Sequence, residues 1–115
     1  MKIEDIKNKY PDDVTLVYEN GKVSEFYIRN INDQITTLDC NYCPNLKSLP
    51  NLPNLKTLEC YYCPVLSFLP EYPNLKNLYC YDCFSLTTLP NMPNLKYLDC
   101  SNCTSLTTMP EFPNL

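Results

Sequence analysis

Eight cysteines stand as four C-x-x-C pairs: Cys40/Cys43, Cys60/Cys63, Cys80/Cys83 and Cys100/Cys103. Four chemistries are open to them. The first two pairs read together as C-x₂-C-x₁₆-C-x₂-C, and the last two repeat that reading. The spacing lies in the zinc range, and four thiolates could hold Zn²⁺ or an iron–sulfur cluster. Cysteines one repeat apart could be bridged as disulfides. One C-x-x-C at a helix N-terminus could be redox-active, because that position lowers the thiol pKa. The fourth reading is structural: free cysteine is among the most buried residue types and packs as a small apolar group.

Other catalytic groups are scarce. The chain has no histidine, which removes Ser-His-Asp and Cys-His nucleophile systems and the usual base near neutral pH. Gly21 is the only glycine, so no phosphate-cradling loop can be built. No carboxylate pair recurs in a setting that would bury and tune one member. The sequence reads as that of a non-enzyme. A net charge of −4 disfavours a nucleic-acid partner, which needs a basic patch. The charged N-terminus, MKIEDIKNKY, does not read as a signal peptide, and no apolar run is long enough to span a membrane. Eight thiols without an export signal point to a reducing, cytoplasmic setting.

A repeat positions the cysteines. Residues 35–54, 55–74, 75–94 and 95–114 share the frame L-x-x-L-x-C-x-x-C-x-x-L-x-x-L-P-x-x-P-N without insertion or deletion, and Leu115 opens a further copy. A fixed short period is the mark of a solenoid. In the second copy Leu55, Leu58, Cys60, Cys63, Leu66 and Leu69 fall on L-x-x-L-x-L-x-x-N/C, and the frame resembles the leucine-rich repeat. The Leu-Pro-x-x-Pro ending is similar to the short repeats of bacterial effectors and large DNA viruses. The departure is cysteine at both ladder positions of every copy.

The resemblance implies a β-solenoid-like fold with a parallel sheet on the concave face. Each strand is expected to run from the third to the eighth residue of its repeat. The fourth and sixth residues then point inward: Leu38 and Cys40, Leu58 and Cys60, Leu78 and Cys80, Leu98 and Cys100. Leu58, Leu78 and Leu98 should be fully buried. Leu46, Leu66, Leu86 and Leu106, then Leu49, Leu69, Leu89 and Met109, close the core. The P-x-x-P segments forbid an α-helix, so the convex side should be extended or polyproline-like.

The outer sheet face is left for binding. It carries Asp39, Tyr42, Glu59, Tyr61, Tyr62, Tyr79, Tyr81, Asp82, Tyr97 and Asp99: six tyrosines and four carboxylates. Tyrosine suits interfaces, and the leading reading is a protein-interaction module. One alternative is a metal- or cluster-binding cysteine ladder, and another is a self-assembling structural protein.

Residues 1–34 read as an N-terminal cap. KIEDIKNK can form one or two helical turns that end at Pro11. Val14–Tyr18 and Val23–Ile28 flank Asn20-Gly21, the strongest short hairpin signal. The second hairpin strand is expected to lie beside the first repeat strand. The pattern runs undiminished to Asn114, so the C-terminal end is expected to be uncapped and to favour self-association.

Overall fold

A computed structural model describes residues 1–115. The chain opens with helix α1 (Ile3–Lys9), in which the Asp5 carboxylate accepts the Lys2 N–H. The antiparallel hairpin of β1 (Val14–Glu19) and β2 (Lys22–Ile28) follows. At its tip Asn20 and Gly21 both take positive φ, 52° and 78°, as a tight primed turn requires. A 3₁₀ turn at Asn32–Gln34 leads into the repeats.

Four strands form a parallel sheet in the order β3 (Thr37–Asp39), β4 (Thr57–Glu59), β5 (Asn77–Tyr79) and β6 (Tyr97–Asp99). Each residue pairs with the one a repeat later, so Leu38, Leu58, Leu78 and Leu98 stand in one row. The strands are shorter than the expected third-to-eighth span. The eighth residue is left-handed in every copy: Tyr42, Tyr62, Asp82 and Asn102 have φ of 58°, 54°, 60° and 59°. That conformation turns the chain off the sheet. Backbone pairing nevertheless continues past the strands, as Cys60 N–H donates to Tyr79 at 2.8 Å and Tyr62 N–H to Tyr81 at 3.0 Å.

The core runs along the stack. Leu55, Leu58, Leu66, Leu75, Leu78 and Leu86 are fully buried. Leu98, Cys100 and Leu106 are only half-buried and Met109 is exposed, against the expectation for Leu98 and Met109, because β6 is the edge strand and its repeat packs on one neighbour. A row the frame did not identify also lies inside: Leu52, Tyr72 and Met92, between the two prolines of each return segment. The Tyr72 hydroxyl reaches the Pro50 carbonyl at 2.9 Å, which lets a phenol sit in the core. The return segments themselves contain no helix or strand.

The hairpin does not extend the sheet as expected. β2 pairs only with β1, and the edge of β3 is taken instead by the N-terminal segment: Lys2 bridges to Asp39, and Asp39 N–H donates to the Met1 carbonyl at 2.9 Å. The hairpin stacks further round the coil. Lys47 N–H donates to the Ser24 carbonyl at 2.8 Å, the same kind of step that joins Thr107 to Thr87. Ile3, Ile6, Val14 and Phe26 enter the same core as the repeat leucines.

Candidate functional site

All eight cysteines are free, and they form two ladders with different jobs. The second cysteine of a pair donates its S–H to the carbonyl of the first cysteine one repeat earlier. Cys63 reaches Cys40 at 3.2 Å, Cys83 reaches Cys60 at 2.9 Å and Cys103 reaches Cys80 at 3.0 Å. A buried carbonyl just past the strand needs a donor, and the thiol supplies one. Cys43 has no earlier repeat to bond. It stays half-buried and makes only a long contact to Asn41 at 3.7 Å.

Two thiols of the first ladder hold their protons more tightly than a free cysteine. The hydrogen bond to Cys83, then burial, push the Cys60 thiol well above its ordinary range. Burial, then the neighbouring Cys103, do the same to Cys80. The two four-cysteine clusters that the spacing allows do not assemble: no three Cys, Asp or Glu side chains converge as a metal site would need. The pairs fall at strand ends with no helix beginning there, so the helix-dipole activation of a redox C-x-x-C is missing.

Five of the six outer-face tyrosines fall into two aromatic rows. One lies over the sheet and follows the fifth and seventh positions. Tyr61 stacks on Tyr81 with centroids 4.0 Å apart and meets Tyr79 edge-on at 6.1 Å. The other follows the left-handed turn, where Tyr42 meets Tyr62 at 6.3 Å and Tyr62 meets Phe84 at 6.0 Å. Phe84 lay outside the expected face; two residues past the turn, it is exposed beside Tyr62. Tyr42 and Tyr97 are 64% and 63% exposed. Tyr97 makes no aromatic contact with the rows.

The carboxylates sit among these rings. Asp39 and Glu59 face each other directly across β3 and β4, and Tyr79 separates Glu59 from Asp99. The Asp99 carboxylate accepts Ser101 Oγ at 2.6 Å and Ser101 N–H at 3.1 Å, and these bonds hold its pKa below the ordinary range. The Tyr42 hydroxyl, then desolvation, push Tyr81 up to about 12. Asp82 stands at the third left-handed turn.

Residues 73–114 match the family model for leucine-rich repeats, in two copies. That segment of the chain, residues 73–114, carries leucine-rich repeats. No curated protein and no solved structure matches it. Leucine-rich repeats commonly mediate protein–protein interaction and are typically non-catalytic. No helix of the chain is long and apolar enough to cross a membrane.

One feature near the face had no signal in the repeat frame. A cleft of about 400 Å³ opens where the N-terminal segment, the hairpin and the first repeat meet. Lys2, Lys22, Asp39, Asn41, Tyr42 and Cys43 are among its walls. It depends on contacts between residues far apart in sequence, which periodicity does not encode.

Proposed function

We propose that this leucine-rich-repeat chain is a non-catalytic binding module that takes up a protein partner on its tyrosine- and carboxylate-bearing sheet face. The observation that carries the reading is the choice of tyrosine at two left-handed turn positions, Tyr42 and Tyr62. Asn and Asp adopt that conformation more readily than a bulky side chain, and Asp82 and Asn102 do so in the later copies. Tyrosine there costs stability and leaves a ring exposed. Strain of this kind, retained beside a row of exposed rings, is what a recognition surface accounts for and a purely structural turn does not.

Residues 1–34 serve in this reading as the cap of the repeats at 35–115, and the return segments as an extended, polyproline-like outer side. The thiols are structural, with no cofactor, and neither nucleic acid nor membrane is a partner.

The test is a variant with Tyr61, Tyr79 and Tyr81 all changed to Ser. It should keep its denaturant midpoint and lose the partner that the wild type captures. Capture at full strength by the folded variant contradicts the placement of the site.

Self-association is a second reading, favoured by the half-exposed Leu98, Cys100 and Leu106 beside β6, which has one hydrogen-bonded neighbour. Light scattering should then show mass rising with concentration, and a strict monomer contradicts it.

A further inference from the structure

The sheet face is unpartnered, and its side-chain charge is of one sign. The third, fifth, seventh and eighth residues of the repeats include Asp39, Glu59, Asp82 and Asp99 and no lysine or arginine. The in-register pair Asp39/Glu59 sets two carboxylates on neighbouring strands about 4.8 Å apart, where like charges destabilise. At the β3 edge the Met1 ammonium donates to Thr37 Oγ1 at 3.2 Å, two residues from Asp39, whereas Glu59, Asp82 and Asp99 have no ion-pair partner. The ion pairs of the chain, Arg29–Asp13 and Lys47–Glu19, both lie off this face. Lys2 bridges to Asp39 through its backbone, yet its ammonium forms no ion pair there. Lys56, Lys76 and Lys96 stand three residues before the fifth position, about 10 Å along the strand, a distance comparable to one screening length in physiological salt.

Rings and carboxylates alternate across the strands. Going from β4 to β6, the fifth position reads Glu59, Tyr79, Asp99, flanked by the Tyr61/Tyr81 stack. A flat cation suits such a surface. Guanidinium stacks on an aromatic face and forks onto a carboxylate, whereas ammonium does only part of this. Two strand spacings separate Glu59 from Asp99, about 9.6 Å. A polyproline II segment repeats its side-chain direction every three residues, about 9.3 Å.

We propose that the partner segment is an extended, polyproline-like peptide that crosses the strands and presents arginine at every third residue to Glu59 and Asp99 over Tyr79. This rests on the face assigned above and adds the chemistry of its occupant.

The experiment uses the full chain and short proline-rich peptides that carry Arg, Lys, Gln or Glu at every third residue. Binding is read by anisotropy of the labelled peptide, and by quenching of the chain's own emission, which comes from ten tyrosines and no tryptophan. The Arg peptide should bind, the Lys peptide several-fold more weakly, and the Gln and Glu peptides least. Glu59→Gln with Asp99→Asn should weaken the Arg peptide about tenfold, the sum of two exposed charge pairs. Moving the arginines to every second residue should also weaken it. Equal binding of the Arg peptide to the Glu59→Gln/Asp99→Asn variant overturns the proposal, since it would reflect bulk attraction to a net charge of −4. So does failure of the Arg peptide to bind at all. If the Gln or Glu peptide binds best and is lost with Tyr61, Tyr79 and Tyr81 changed to Ser, the cationic occupant is wrong and the face remains the site. If the Arg peptide binds that tyrosine variant as well as the wild type, the occupant is overturned and the face reading loses its support.

Discussion

A thiol proton ties each repeat to the one before it. Cys83 makes this bond at 2.9 Å to Cys60 in a fully buried setting. Cys83→Ala removes the donor and leaves a buried carbonyl unpaired, with an expected loss of about 1–3 kcal/mol by urea titration. Cys43→Ala, at a half-buried site without that bond, should cost less than half as much. Burial and the neighbouring thiols set a pH dependence at the first cysteines Cys60 and Cys80. The folded-state thiols of Cys60 and Cys80 titrate above their ordinary value of 9.0. The unfolded chain therefore loses these protons first, and the folded chain binds more of them above that pH. Stability should be level on the acid side of this range and fall as pH rises through it, read as a declining urea midpoint. A midpoint that rises there would show that the thiols ionise in the folded chain.

The pairing of cysteines was plain in the sequence, but the use of each one was not. Metal and disulfide spacing follows automatically from any repeated C-x-x-C, so spacing could not choose among the chemistries. Of the first cysteines, Cys40 donates its S–H to the Glu59 carbonyl one repeat later at 3.4 Å.

At the scale of the element, one row of leucines holds the sheet. Leu78 is fully buried between two repeats, while Leu98 has a neighbour on one side. Leu78→Ala is expected to cost about 2–5 kcal/mol and Leu98→Ala distinctly less, by denaturant titration. Equal losses would mean that the leucine row does not set stability. Period and alternation made this row legible, and Asn20-Gly21 made the hairpin legible. The strand length was not, because nothing in a motif written L-x-C-x-x-C marks its last x as left-handed when that residue is tyrosine. The edge of β3 was also hidden. Met1 and Lys2 reach it through tertiary packing of Ile3 and Ile6, across a separation that local pattern does not report.

The whole molecule is a slab with principal extents of 38 × 29 × 15 Å. A body this thin keeps each core residue close to a surface. It also spreads one wide sheet face whose rings touch from repeat to repeat. The fold and its core were written in the period. The face was legible as a set of residues, though not as two rows of which one extends to Phe84, because that ring lies outside the strand alternation. The central claim is that this face is where a partner sits, and residue-resolved tyrosine nitration of the chain with and without its captured partner tests it most directly. Tyr61, Tyr79 and Tyr81 should be protected in the complex while Tyr18 and Tyr27, exposed on the hairpin, react as before. Protection of the hairpin tyrosines with the sheet-face rings still reactive would contradict the account.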